Sequence, residues 1–129
     1  PIPSGHYTVM VDKVYWDESK NTGTPCIVWH LKIAEGAHEG RMLFKRSWLK
    51  PGNSTNFEML AQDLKLILGE VPELTDPQLL NRLLDKVLFV RKRDRADNDY
   101  DIFFNGIDRR VEPENPEPAA TFADDDIPF

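Results

Sequence analysis

Residues 25–33 read Pro-Cys-Ile-Val-Trp-His-Leu-Lys-Ile, with Ile27, Trp29, Leu31 and Ile33 on every second position. A period of two lines these four residues along one face of an extended strand, whereas a helix would scatter them around its axis. Val28, His30 and Lys32 then take the opposite face. Upstream, Tyr7, Val9 and Val11 alternate in the same way, and the strand is expected to reach Trp16 through a bulge near Asp12–Lys13. Downstream, Arg41 to Trp48 reads as a third strand. Polar segments at Asp17–Gly23 and Glu35–Gly40 connect the three, so the pattern predicts an antiparallel meander.

Pro51-Gly52 stops the third strand, and the periodicity then changes. Phe57, Leu60, Leu64 and Ile67 recur at helical spacing. Thr55 to Glu58 has capping-box spacing, and Gly69 is a C-cap candidate. Asp76-Pro77 predicts an N-cap followed by Pro at the first helical position, leading into a short second helix that carries Leu79, Leu80, Leu83 and Leu84. Val87 to Arg95 and Tyr100 to Ile107 regain strand character around a turn at Asp97-Asn98-Asp99. A mainly β chain with one or two helices between its third and fourth strands has the element order of an OB fold, a five-stranded barrel that commonly binds oligonucleotides. A five-stranded sheet packed on helices in another topology is the alternative.

The formal charge of −6 is unevenly placed. Residues 1–111 hold all 16 Lys and Arg and 16 of the 22 Asp and Glu, so that part is neutral. Residues 112–129 hold the remaining acids, Glu112, Glu114, Glu117, Asp124, Asp125 and Asp126, and no base. Acids alternate with prolines over 112–120 and there is little there to bury, so residues 1–111 are expected to form the domain and 112–129 a disordered tail. A neutral body with locally clustered bases remains compatible with nucleic acid, whatever the global pI. The single Cys26 rules out an intrachain disulfide and fits a reducing compartment. With no apolar run near the length of a membrane span and no signal-like start, the expectation is a cytoplasmic protein.

The tail reads Asp124-Asp125-Asp126-Ile127-Pro128-Phe129. It resembles the C-terminal tip of bacterial single-stranded DNA-binding proteins, which docks replication, recombination and repair enzymes. The resemblance implies Phe129 in an apolar pocket, its carboxylate paired with a base, and the aspartates on a basic rim. The chemistry agrees: an aromatic anchor suits a pocket, the aspartates add steering, and the proline reduces the freedom lost on binding. That family's long Gly- and Gln-rich linker is absent. The body is similar to bacteriophage-encoded single-stranded DNA-binding proteins at Gly5-His6-Tyr7, at Lys20 to Pro25 and at Gly40-Arg41. A phage protein with a host-style tip would act in the bacterial cytoplasm and recruit host machinery.

Sequence-tolerant binding of a single strand requires cations for phosphates and aromatic faces for bases, with stacking worth about 1–3 kcal/mol per base. The third strand offers Arg41, Phe44, Lys45, Arg46 and Trp48, with no acid between Arg41 and Lys50. The fourth offers Phe89, Arg91 and Arg93, and the second adds His30 and Lys32. These ten are the expected DNA-binding residues. Trp29 lies in the apolar register and is expected in the core. Trp16 could close the barrel, and Tyr100 and Phe103 could serve either purpose. The acidic tail is also expected to compete with DNA for the cationic surface.

Catalytic and metal patterns are incomplete. Asp97, Asp99, Asp101 and Asp108 partly fit a calcium loop, but Ile102 replaces the required Gly and the final Glu is missing. His6, His30 and His38 lack ligand spacing. Neither a cofactor, a metal nor an enzymatic activity is expected. Single-stranded DNA is the expected partner, together with enzymes bound by the tip; a homo-oligomer is left open. The rivals are an adaptor or inhibitor that uses the tip to fill host protein pockets without binding nucleic acid, an RNA chaperone on the same barrel, and, behind both, a small nuclease.

Overall fold

A computed structural model describes residues 1–108. The chain runs β1 (Gly5–Glu18), β2 (Pro25–Ile33), β3 (Met42–Trp48), α1 (Ser54–Leu68), α2 (Leu79–Leu83), β4 (Val87–Asp94) and β5 (Tyr100–Ile107). The strands form one antiparallel sheet in the order β3-β2-β1-β4-β5. Its two outer strands meet along a seam made by side chains. The Phe44 N–H donates to the Tyr100 hydroxyl at 2.9 Å, and Lys45 Nζ donates to the Ile102 carbonyl at 2.6 Å. Helix α1 packs against both β3 and β5. The architecture is OB-fold-like: a curled five-stranded sheet with both helices between strands three and four.

The alternation in β2 has the expected outcome. Ile27, Trp29, Leu31 and Ile33 are buried with Val9 and Val11 of β1, Leu43 of β3, Leu88 and Val90 of β4, and Ile102 and Phe104 of β5. Leu60, Leu64 and Ile67 of α1 and Leu79 and Leu83 of α2 complete this core. Trp29 satisfies its one polar group by donating Nε1–H to Ser47 Oγ at 3.0 Å, and meets Phe104 edge to face at 4.9 Å between centroids.

The register between β1 and β2 slips between Val11 and Lys13. A bulge of this kind reverses the parity of a strand. Before it, Val9 and Val11 oppose Ile33 and Leu31; after it, Val14 and Trp16 oppose Trp29 and Ile27. Even-numbered residues thus continue the inward face, and Lys13, Tyr15 and Asp17 turn outward beside β2.

Local details correct the sequence expectations in three places. The cap of α1 is Asn53, whose side chain accepts the Asn56 N–H at 3.1 Å, not Thr55 in a capping box. Asn53 has the extended backbone of an N-cap and follows the Pro51-Gly52 turn directly, so the helix starts earlier. Phe57 is 45% exposed, because the helical stripe reaches the barrel only from Leu60 onward. Asp76 accepts the Gln78 N–H at 2.9 Å, which closes a turn; α2 begins after it, at Leu79. Gly69 ends α1 as expected, with a left-handed φ of 81° and its N–H bonded to the Lys65 carbonyl.

Candidate nucleic-acid interface

The outward residues of β1, β2 and β3 form a row of rings. Phe44 and His30 are register partners and meet edge to face at 4.9 Å. Tyr15 meets His30 at 5.5 Å, with its hydroxyl 3.3 Å from His30 Nε2. Trp48 lies further along β3, with the Arg46 guanidinium 5.9 Å from its ring. Phe44 is 50% exposed and Trp48 38%, so both present ring surface to solvent. Beneath them, Cys26 and Val28 fill the sheet face and are buried.

This row forms one wall of a groove of about 570 Å³. Asn56, Met59 and Asp63 of α1 line another side, and Arg95, Asp99 and Asp101 of the β4–β5 hairpin line a third. The position matches the strand 2–3 face and adjoining loops used by oligonucleotide-binding OB folds.

The charged groups along the groove differ in their surroundings. Arg46 reaches the Cys26 sulfur at 3.5 Å and Asp17 at 3.4 Å, contacts that favour its protonated form against a smaller opposing effect of desolvation. The Glu18 N–H and Arg46 hold the Asp17 carboxyl below the usual range. Arg95 is ringed by Asp97 at 3.3 Å, Asp99 at 2.8 Å and Asp101 at 3.0 Å. The Asp101 carboxyl is held low by its hydrogen bond from Arg93, with Arg95 adding to the effect. At the seam, burial lowers the Lys45 ammonium pKa and raises that of the Asp63 carboxyl, while their opposite charges partly offset both shifts.

The ten expected DNA-binding residues occupy several places. His30, Phe44, Arg46 and Trp48 share the groove face. Lys45 also borders the groove, but its side chain turns inward: strand alternation carries it to the seam, where Nζ bonds Ile102 and lies 5.2 Å from the Phe104 ring. Its ammonium is committed to holding β3 against β5. Lys32 is exposed on the outer face of β2, and Arg41 precedes β3 with its guanidinium 3.4 Å from His38 Nδ1.

Phe89, Arg91 and Arg93 also point outward, but from β4. Phe89 lines a separate hollow of about 330 Å³ with His6, Thr8 and His38. Arg91 and Arg93 lie over the Phe103 ring at 4.6 and 5.0 Å, and Arg93 pairs with Asp101 at 2.9 Å. The single surface expected from the sequence is therefore two surfaces. Alternation decides whether a side chain points out of the barrel; its position around the barrel depends on strand order.

Among the other rings, Trp29 is buried and Trp16 sits half-exposed at the end of β1. Tyr100 closes the seam, with buried Lys92 4.5 Å from its ring centroid. Tyr15 was not among the expected site residues. The bulge at Asp12–Lys13 was the available signal, because the parity reversal it causes brings Tyr15 outward. Asp97, Asp99 and Asp101 of the partial calcium pattern surround Arg95 instead. Asp124, Asp125, Asp126, Ile127, Pro128 and Phe129, with the rest of the tail, lie outside the described residues.

Residues 1–70 match the family described as Protein of unknown function (DUF669), a span of more than half the chain. The chain belongs to the DUF669 family. The matched span contains β1, β2, β3 and α1, and so carries Tyr15, His30, Phe44, Arg46 and Trp48. Strands β4 and β5 lie beyond it. No curated protein matches the chain. Among the described residues, no helix is long and apolar enough to cross a membrane.

Proposed function

We propose that this chain is a non-enzymatic, sequence-tolerant single-stranded DNA-binding protein of DNA replication, recombination or repair. The observation that carries this reading is the row of Tyr15, His30, Phe44 and Trp48 along a groove of an OB-fold-like barrel, with Arg46 among them. Rings offer stacking faces to any base, and an arginine held by one carboxylate at 3.4 Å and 46% exposed can exchange that partner for a phosphate. A bacterial cytoplasm, a phage origin and recruitment of partner enzymes through residues 124–129 are parts of the same proposal, supported by the resemblance of the tip and body.

Titration with an unstructured oligothymidylate, followed by tryptophan fluorescence, tests the reading. Trp48 is placed to be quenched, while Trp29 is shielded in the core. Phe44→Ala and Trp48→Ala are each expected to weaken binding by about 1–3 kcal/mol while the barrel stays folded. A parallel series with an RNA strand measures sugar preference, since stacking alone does not discriminate and 2′-hydroxyl contacts would. If neither strand binds at low salt, the nucleic-acid reading fails and the adaptor or inhibitor alternative takes its place.

A further inference from the structure

We propose that the outer face of β4–β5 is a second contact surface for the same strand, reached from the groove across the seam between β3 and β5. This rests on the groove binding single-stranded nucleic acid. Two observations carry it further: the continuity of the two surfaces at Phe103, and the register that composes the second.

Phe103 borders the groove, yet its ring is flanked by the Arg91 and Arg93 guanidiniums on the outer face. A chain leaving the groove past β5 therefore meets these two arginines next. Register places His6, Arg91 and Phe103 side by side across β1, β4 and β5. The row resembles that of Lys13, His30 and Phe44 across β1, β2 and β3, and both rows start on β1. Phe89, 38% exposed, follows on β4 over the hollow lined by His6 and His38.

The chemistry suits a backbone passing over the face. A guanidinium lying over a ring keeps its N–H edges available for phosphate oxygens, and the ring contact limits the freedom lost on binding. Arg93 is committed to Asp101, so Arg91 is the cation assigned to phosphate and Phe89 the ring assigned to a base. A purely structural role is the competing explanation: the two arginines would then only brace the hairpin. That role would cost stability and would not depend on the length of the nucleic acid.

Length is therefore the variable to test. Wild type, Arg91→Ala and Phe89→Ala are titrated with oligothymidylates of about 6 and about 16 nucleotides, the span of site sizes that OB folds show. The short strand should bind all three proteins within about twofold, which also shows that the variants are folded. The long strand should bind each variant about tenfold more weakly than wild type. For Arg91→Ala the salt dependence with the long strand should flatten by about 0.7 in the slope of log K against log salt. Equal long-strand affinity for all three proteins overturns the second surface and leaves the groove reading standing. Equal losses for both lengths overturn it as well, since they would report a general defect. Wild type that binds neither length defeats the groove reading and this proposal with it.

Discussion

Arg46 on β3 meets one carboxylate, at 3.4 Å, whereas Arg95 on the β4–β5 hairpin meets three within 3.3 Å. The rings differ in the same direction. Phe44 is half-exposed and meets one other ring, His30, in a T-shaped contact, while Phe103 already has two guanidiniums within 5.0 Å of its centroid. Both regions combine arginines with aromatics, and a composition count would treat them alike. Their difference lies in commitment: the β1–β3 face holds groups with capacity to spare, and the hairpin uses most of its capacity internally. Counting bases in a sequence therefore overstates the cationic surface offered to a ligand.

The contrast between a ring beneath the β1–β3 face and a ring on it gives the largest expected effect. Trp29→Ala should lower the free energy of unfolding by about 3–5 kcal/mol in denaturant titration. Trp48→Ala should lower it by under about 1 kcal/mol, since a partly exposed ring leaves no closed cavity. Similar losses for both would erase the distinction between core and groove wall.

The next comparison concerns the arginines. Arg46→Ala should flatten the salt dependence of oligothymidylate binding by about 0.7 in slope, the contribution of one phosphate on a single strand. Arg95→Ala should leave that slope nearly unchanged, because its charge is already satisfied by aspartates. A larger change at Arg95 than at Arg46 would reverse the assignment of the groove cation that exchanges its carboxylate for a phosphate.

Acid should act on both regions through the same sign. Asp17, Asp94 and Asp101 have depressed folded-state pKa values, held by the Glu18 N–H and Arg46, by Lys92, and by Arg93 respectively. A carboxylate lowered in the folded state contributes stability above its unfolded pKa of about 3.9, and loses it as pH falls through the folded value. The melting temperature should therefore start to fall below about pH 4. Asp17 and Asp94 are exposed and Asp101 is partly so, and the fall should therefore be modest and reduced by salt.

The smallest expected effect sharpens the role of the seam that separates the regions. Lys45→Met removes the positive charge that partly offsets the burial of Asp63. The Asp63 carboxyl should then titrate at higher pH than in wild type, as followed by the NMR shift of its side-chain carbon. An unchanged midpoint would mean that the two groups do not sense one another across the groove.

Much of the barrel is legible in particular residues. Ile27, Trp29, Leu31 and Ile33 announce the buried face of β2, and the same alternation turns Phe44, Arg46 and Trp48 outward. Gly69 announces the end of α1. The cap at Asn53 was harder to read, because Thr55 with Glu58 offers a competing local solution and the Pro51-Gly52 turn decides between them. Lys45 illustrates a different limit. Its neighbours suggest a phosphate contact, yet the odd position in the strand sends it inward, where a carbonyl of β5 waits 57 positions away.

By itself, then, the sequence determined the element order, the inward and outward faces of β2, β3 and β4, and the clustering of bases with rings. Those features depend on local period and turn chemistry, which neighbouring residues settle among themselves. Only the tertiary structure decided which outward residues share a surface, which arginines are already paired, and how β3 meets β5. Each of those depends on pairings between distant strands and on one bulge in β1, and no local pattern encodes where around the barrel a side chain will come to rest.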